Sequence, residues 1–257
     1  MEIFTQVDTW VALLTLTFLE IILGIDNIIF ISIATGKLPK DQQKKATNIG
    51  LLLAMVFRII LLLGVSYLIA MKDALITIET SWLVSHISGQ SIILFLGGLF
   101  LLYKSTSEIR HKVEGQEEET STVKKVTTTL SKTIVQIVLI DIVFSFDSVL
   151  TAVGMTNGIP GALYIMITAV VVSMAIMMLF ANPVGKFVNT HPTIQMLALS
   201  FLILIGFMLI TEGAHLAHTS FFGQEVGAIP KGYLYFAITF SLGVEALNMK
   251  IRKRRRN

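Results

Sequence analysis

Long apolar runs alternate with short polar stretches along this chain. Seven runs read as membrane helices, at roughly 10–34, 49–71, 90–104, 134–155, 161–181, 195–215 and 231–249. About 20 mostly apolar residues in a helix cross the hydrocarbon core. The third run is the shortest, so its helix starts a little earlier or tilts less. None of the runs shows the period-2 alternation of half-buried strands. The first is no secretion signal: nothing basic precedes it, it is too long, and it contains Glu20 and Asp26. The pattern predicts an all-α membrane protein of seven transmembrane helices.

Composition agrees. Of 257 residues, 54% are hydrophobic and 14% charged, against about a quarter charged in soluble domains. An ordinary soluble enzyme is excluded. The absence of cysteine rules out disulfides, thiolate metal sites and cysteine nucleophiles. Seventeen Lys and Arg fall in the 35–48, 104–133 and 182–194 loops and the C-terminus, and two on the opposite side. The positive-inside rule then puts the N-terminus outside and the C-terminus in the cytoplasm. The basic tail, 252–256, reads as a topology determinant touching anionic lipid rather than a nucleic-acid site. Segment 105–131, rich in Ser, Thr, Glu and Lys, reads as a flexible linker, with Gln116–Glu119 a solvated charge run.

An internal repeat carries more. Leu19-Glu20-Ile21-Ile22-Leu23-Gly24-Ile25-Asp26-Asn27 aligns without a gap, 121 residues on, with Ile140-Asp141-Ile142-Val143-Phe144-Ser145-Phe146-Asp147-Ser148. Pro39 and Pro160 keep the same offset, and Gly98-Leu99-Phe100 echoes Gly206-Phe207-Met208, with Lys104 and Glu212 in equivalent places. Three helices used twice enter the membrane from opposite sides, an inverted repeat of the kind secondary transporters use. Repeat one spans about 10–104, a linker 105–133, repeat two 134–215, a seventh helix 231–249 and a basic tail 250–257. Inversion sets Glu20 near the level of Asp147 and Asp26 near Asp141. On a continuous helix Glu20, Gly24 and Asn27 share a stripe, as do Asp141, Ser145 and Ser148, with Asp26 and Asp147 about 100° away. Either these acids face different polar regions or the helix breaks near Gly24.

Intramembrane acids are costly and default to function. Their other use is as helix-to-helix glue paired with Arg58 and Lys104, but two bases cannot neutralise four carboxylates, and Glu212 and Glu245 add more negative charge. The excess suits a cation. Carboxylates, the Asn27 amide and hydroxyls are hard oxygen donors, which favour Mg²⁺, Ca²⁺ or Mn²⁺. Arg58, deep in its span, is expected to fix one carboxylate. Glu212 and His215, three apart, share a helix face, and with His218 read as interfacial polar residues or metal ligands. Glu245, with Asn248 one turn on, completes an inner gate or reaches the headgroups. Rival classes are an intramembrane aspartyl hydrolase, which needs two acids sharing a proton, and a membrane scaffold. No nucleotide-binding loop or Ser/His/Asp arrangement stands out, so the expectation is a transporter and not an enzyme.

Leu19-Glu20 through Asp26-Asn27, the copy Asp141 through Asp147-Ser148, Gly98 through Lys104, Thr211-Glu212-Gly213 and Val244-Glu245-Ala246-Leu247-Asn248 together resemble the TerC family of integral membrane proteins. That family is grouped with LysE-type exporters, and its name comes from tellurium resistance. The resemblance implies divalent metal efflux, chiefly of Mn²⁺; exchange for protons is expected because the same acids can bind either. Glu20, Asp26, Asn27, Asp141, Asp147 and Ser148 would then be metal-site positions, and Lys104, Glu212 and Glu245 supporting polar residues. Some relatives instead affect folding or export of secreted proteins.

The topology has a direct test, because the chain has no background thiol. A single cysteine placed within 114–122 should react with a membrane-impermeant maleimide only after the cells are opened. Labelling in intact cells would reverse the assigned orientation.

Overall fold

The computed structural model describes residues 7–114, 129–156, 159 and 161–256, apart from the side chains of Ile25, Asp26, Ser66 and residues 253–256. Among the described residues, seven helices are long and apolar enough to cross a membrane. They are α1 (Val7–Gly36), α2 (Lys40–Leu63), α4 (Gly89–Glu114), α5 (Leu130–Thr156), α6 (Ala162–Thr190), α7 (Pro192–Leu216) and α8 (Lys231–Arg256), with a short α3 (Val65–Ala70) after α2. The seven-helix reading is correct, and several boundaries move. The run expected as one span over 49–71 begins at Lys40, behind Pro39, and is interrupted at Gly64 before α3. Asp41 in its first turn complements the helix dipole.

The shortest predicted span becomes a 26-residue helix that continues ten residues into the segment expected as linker. Opposite charges one turn apart explain this. Lys104 pairs with Glu108 at 3.0 Å and Arg110 with Glu114 at 2.8 Å, the i,i+4 spacing that supports a helix. At the other end of α4, Ser88 and Ser91 hydrogen-bond each other's backbone N–H at 3.0 and 3.2 Å, a reciprocal cap of the kind that satisfies orphan donors. The loop expected at 182–194 shrinks to His191, because α6 runs through Pro183 and Pro192 opens α7. The charge run at Gln116–Glu119, Pro160 and the side chains of the tail beyond Arg252 lie outside the described residues.

A small antiparallel sheet, of order β1-β2-β3-β4, was not foreseen. It comprises β1 (Ala74–Glu79), β2 (Leu83–Ser88), β3 (Ser220–Phe221) and β4 (Gln224–Glu225). The last two strands join through Phe222 and Gly223, with φ of 51° and 78°. Two positive φ values are what a tight hairpin of this hand requires. The two-residue β3 and β4 are too short for alternation to be read, and the six-residue β1 and β2 show no alternating burial.

The chain forms two compact units, each drawing on both copies of the repeat. One holds residues 1–72 and 125–189, the other 73–124 and 190–257. In the first unit, α1 and α5 are equivalent copies, as are α2 and α6. Both α1 and α5 run unbroken past Gly24 and Ser145. Gly24 serves contact instead of a break: a Cβ there would overlap the Met177 sulfur of α6. Similarly, Gly50 of α2 lies against Ile137 of α5, and Gly185 of α6 against Ser32 of α1.

In the second unit, α4 and α7 meet at Gly98 and Gly206. A Cβ on either would run into the other's carbonyl oxygen. This reciprocal contact between repeat-equivalent positions is what a local pseudo-two-fold produces. Small residues let backbones approach where lipid offers no hydrophobic drive to associate.

Gly98→Ala or Gly206→Ala should therefore destabilise the protein by about 1–3 kcal/mol through overpacking. Gly243→Ala in α8, where an added Cβ meets nothing within 4 Å, should be neutral or slightly stabilising. Thermal unfolding in detergent measures the contrast; equal effects at all three sites would refute the packing account.

Candidate functional site

The two stripes read from the repeat are both buried. Glu20, Gly24 and Asn27 line the inner face of α1, and Asp141, Ser145 and Ser148 that of α5. Asp147, off its stripe, is half-buried. The Asp26 side chain lies outside the described residues.

Arg58 of α2 joins the two copies. It was expected to hold one carboxylate and holds two. Its Nη1 donates to Glu20 Oε2. Its Nε donates to Asp141 Oδ2 at 3.0 Å and its Nη2 to Asp141 Oδ1 at 2.7 Å. All three side chains are nearly closed to solvent, at 3–5% exposure. The fork on Asp141 is the bidentate geometry for which a planar guanidinium is suited.

Asp141 is saturated. Asn27 Nδ2 also donates to its Oδ1 at 3.3 Å. Ser145 Oγ lies 3.0 Å from its Oδ2 and 2.5 Å from its backbone oxygen, where its one proton can serve either. A carboxylate has about four acceptor positions, and here each has a donor facing it. Asn27 Oδ1, by contrast, is buried with no hydrogen-bond partner among the described residues. An orphaned buried acceptor is uncommon enough to demand a reason.

The depth argument holds in part. The level expected for Asp26 and Asp141 is where adjacent Asn27 meets Asp141. Glu20 lies seven residues before Asn27, about 10 Å of helix rise. A single guanidinium contacts both carboxylates, so Glu20 and Asp141 are joined although the level argument separates them. Repeat symmetry is also incomplete. At the same offset of 121, Arg58 corresponds to Leu179, and α6 carries no charged residue before Lys186. Two equivalent acids share one arginine.

The other expected residues belong to the second unit. Lys104 pairs with Glu108, which is 2% exposed. Glu108 was missed because its surroundings have a linker's composition; its spacing from Lys104 was the available signal. Glu212 is half-buried in α7. His215 is exposed, with Nδ1 3.1 Å from the Val226 carbonyl oxygen, which suits an interfacial role. Asn248 Nδ2 donates to Glu245 Oε2 at 3.4 Å. Glu245 also lines an open cavity of about 560 Å³ with Thr193, Ser200 and Ser241. Among the described residues, no three His, Cys, Asp or Glu stand close enough together to hold a metal. The carboxylate oxygens of Asp141 are engaged by an arginine.

Seven membrane-capable helices, a twofold sequence repeat and a buried ion-pair network define a polytopic membrane protein with a charged centre. A model of the integral membrane protein TerC family matches residues 5–257. The chain is 46% identical over 245 residues to the UPF0053 inner membrane protein YgdQ of Escherichia coli K12, covering 95% of this chain and 94% of that one. It is 43% identical over 246 residues to a UPF0053 protein of Haemophilus influenzae, covering 96% and 95%. Against the UPF0053 inner membrane protein YoaE of Escherichia coli K12 it is 41% identical over 253 residues, 98% of this chain but 45% of that longer one. No solved structure matches. The chain belongs to the TerC family of integral membrane proteins.

Removing one partner from a buried pair strands the other charge, at a cost of about 3–5 kcal/mol. Arg58→Gln should lower the unfolding temperature in detergent accordingly. The double variant Glu20→Gln/Arg58→Gln should recover part of the loss, because it leaves one buried carboxylate where the single variant leaves two. A double variant no more stable than Arg58→Gln would show that the charge balance is not what holds this site.

Proposed function

We propose that the protein is a secondary transporter of a divalent cation, Mn²⁺ in the first instance, that moves the ion outward across the bacterial inner membrane. The observation that carries this is the convergence of two repeat-equivalent acids, Glu20 and Asp141, beside a buried amide oxygen, Asn27 Oδ1, that has no hydrogen-bond partner among the described residues. Carboxylate, amide and hydroxyl oxygens suit Mn²⁺, Mg²⁺ or Ca²⁺ better than ions preferring sulfur or imidazole. Asp147 and Ser148 on α5, with Asp26 and Asn27 on α1, extend the same donor chemistry along both copies. Protons are the natural counter-ion, because the same acids bind either species. Relatives named as inner membrane proteins support the membrane assignment. The distribution of Lys and Arg supports a cytoplasmic C-terminus.

A hydrolytic reading is disfavoured, because an aspartyl dyad shares a proton between two touching carboxyls and Asp141 is engaged by a guanidinium instead. A second reading, a membrane factor in which the ion pairs are structural, has one observation in its favour: every acceptor position of Asp141 already faces a donor.

Proteoliposome flux separates the two. Asp26→Asn/Asp147→Asn should reduce Mn²⁺ movement at least about tenfold, a barrier change of roughly 1.4 kcal/mol, while the protein stays folded. Equal Mn²⁺ flux in the double variant and the wild type would remove these acids from the pathway.

A further inference from the structure

We propose that Arg58 is a tethered stand-in for the transported cation: it holds Asp141 while no metal is bound, and must leave Asp141 for a divalent cation to enter. This rests on the transport reading above and assigns the step that admits and expels the ion. Three features of the site point to it. The acids are duplicated by the repeat and the arginine is not, so Glu20, Asp141 and Arg58 together keep one net negative charge inside apolar helices. A purely structural clamp has no use for that residual charge, which burial makes costly. The guanidinium also occupies positions on both Asp141 oxygens that a hard cation would use, and Asn27, whose amide already touches Oδ1, has no partner for its own oxygen among the described residues.

The third feature is how the guanidinium is divided. Nη1 alone engages Glu20, while Nε and Nη2 engage Asp141. Arg58 can thus release Asp141 and remain anchored on Glu20 through its flexible stem. A divalent ion on Asp141 and Asn27 repels the displaced guanidinium, and the returning guanidinium repels the ion. Competition of this kind makes binding reversible, which a transporter requires and a storage site does not. Arg58 is a positioning residue here, acting through Asp141 and not by touching the cargo.

The test measures Mn²⁺ binding to the purified full-length protein, by titration with paramagnetic resonance of the free ion, alongside proteoliposome flux. The key variant is Glu20→Gln/Arg58→Gln, which removes the guanidinium and keeps the net charge of the pair at that of the wild type. It should bind Mn²⁺ at least about tenfold more tightly and transport it at least about tenfold more slowly. Glu20→Gln alone, which leaves Arg58 only Asp141 to pair with, should weaken binding. Arg58→Lys should bind and release the ion between those extremes. If the wild type binds Mn²⁺ and the double variant binds it no more tightly, Arg58 is a structural clamp and the transport reading survives. If neither the wild type nor any variant binds Mn²⁺ saturably, the transport reading falls and this proposal with it.

Discussion

Two carboxylates buried among apolar helices lose their water and repel each other, and Arg58 is what lets Glu20 and Asp141 remain there. Its guanidinium reaches both from a third helix, tying α1, α2 and α5 together at one point. The surrounding packing follows. Gly24 and Gly50 let neighbouring helices approach closely, and Ser145 and Asn27 supply the remaining hydrogen bonds to Asp141. A buried ion pair contributes little net stability compared with apolar packing, but breaking one is expensive. Keeping such a centre within membrane helices is therefore better explained by what it does than by the stability it adds.

The second unit is organised differently. Its two repeat-equivalent helices, α4 and α7, meet backbone to backbone at Gly98 and Gly206. Toward the end of α4, Lys104 and Glu108 pair along the helix. That local pairing extends the helix through residues whose composition otherwise suggests a linker. One repeat thus supports two kinds of helix contact, electrostatic around Arg58 and steric at the paired glycines.

Membership of the TerC family places the chain among integral membrane proteins, and the centre of its first unit accounts for the residues that made the sequence conspicuous. Four acids stood out against an apolar background. Two of them, Glu20 and Asp141, converge on one guanidinium. The repeat supplies both acids, but the arginine that joins them has no counterpart in the second copy.

The span count, the membrane class, the repeat and the buried stripes were all legible in the sequence, because each depends on hydrophobicity or on helical spacing along one segment. The tight turn at Phe222 and Gly223, the helical extension to Glu114 and the grouping of helices into two units were not. Strands of two residues carry no periodic signal, and the unit boundaries depend on contacts between distant segments. The decisive omission concerned Arg58. Its depth in a span was visible, but its partners lie 38 and 83 residues away, and no local pattern encodes which of several acids a long side chain will reach. The sequence determined that charge would lie within the membrane helices and on which faces; only the tertiary structure decided that one arginine would bridge both copies of the repeat, because that depends on how three helices bring their buried faces together.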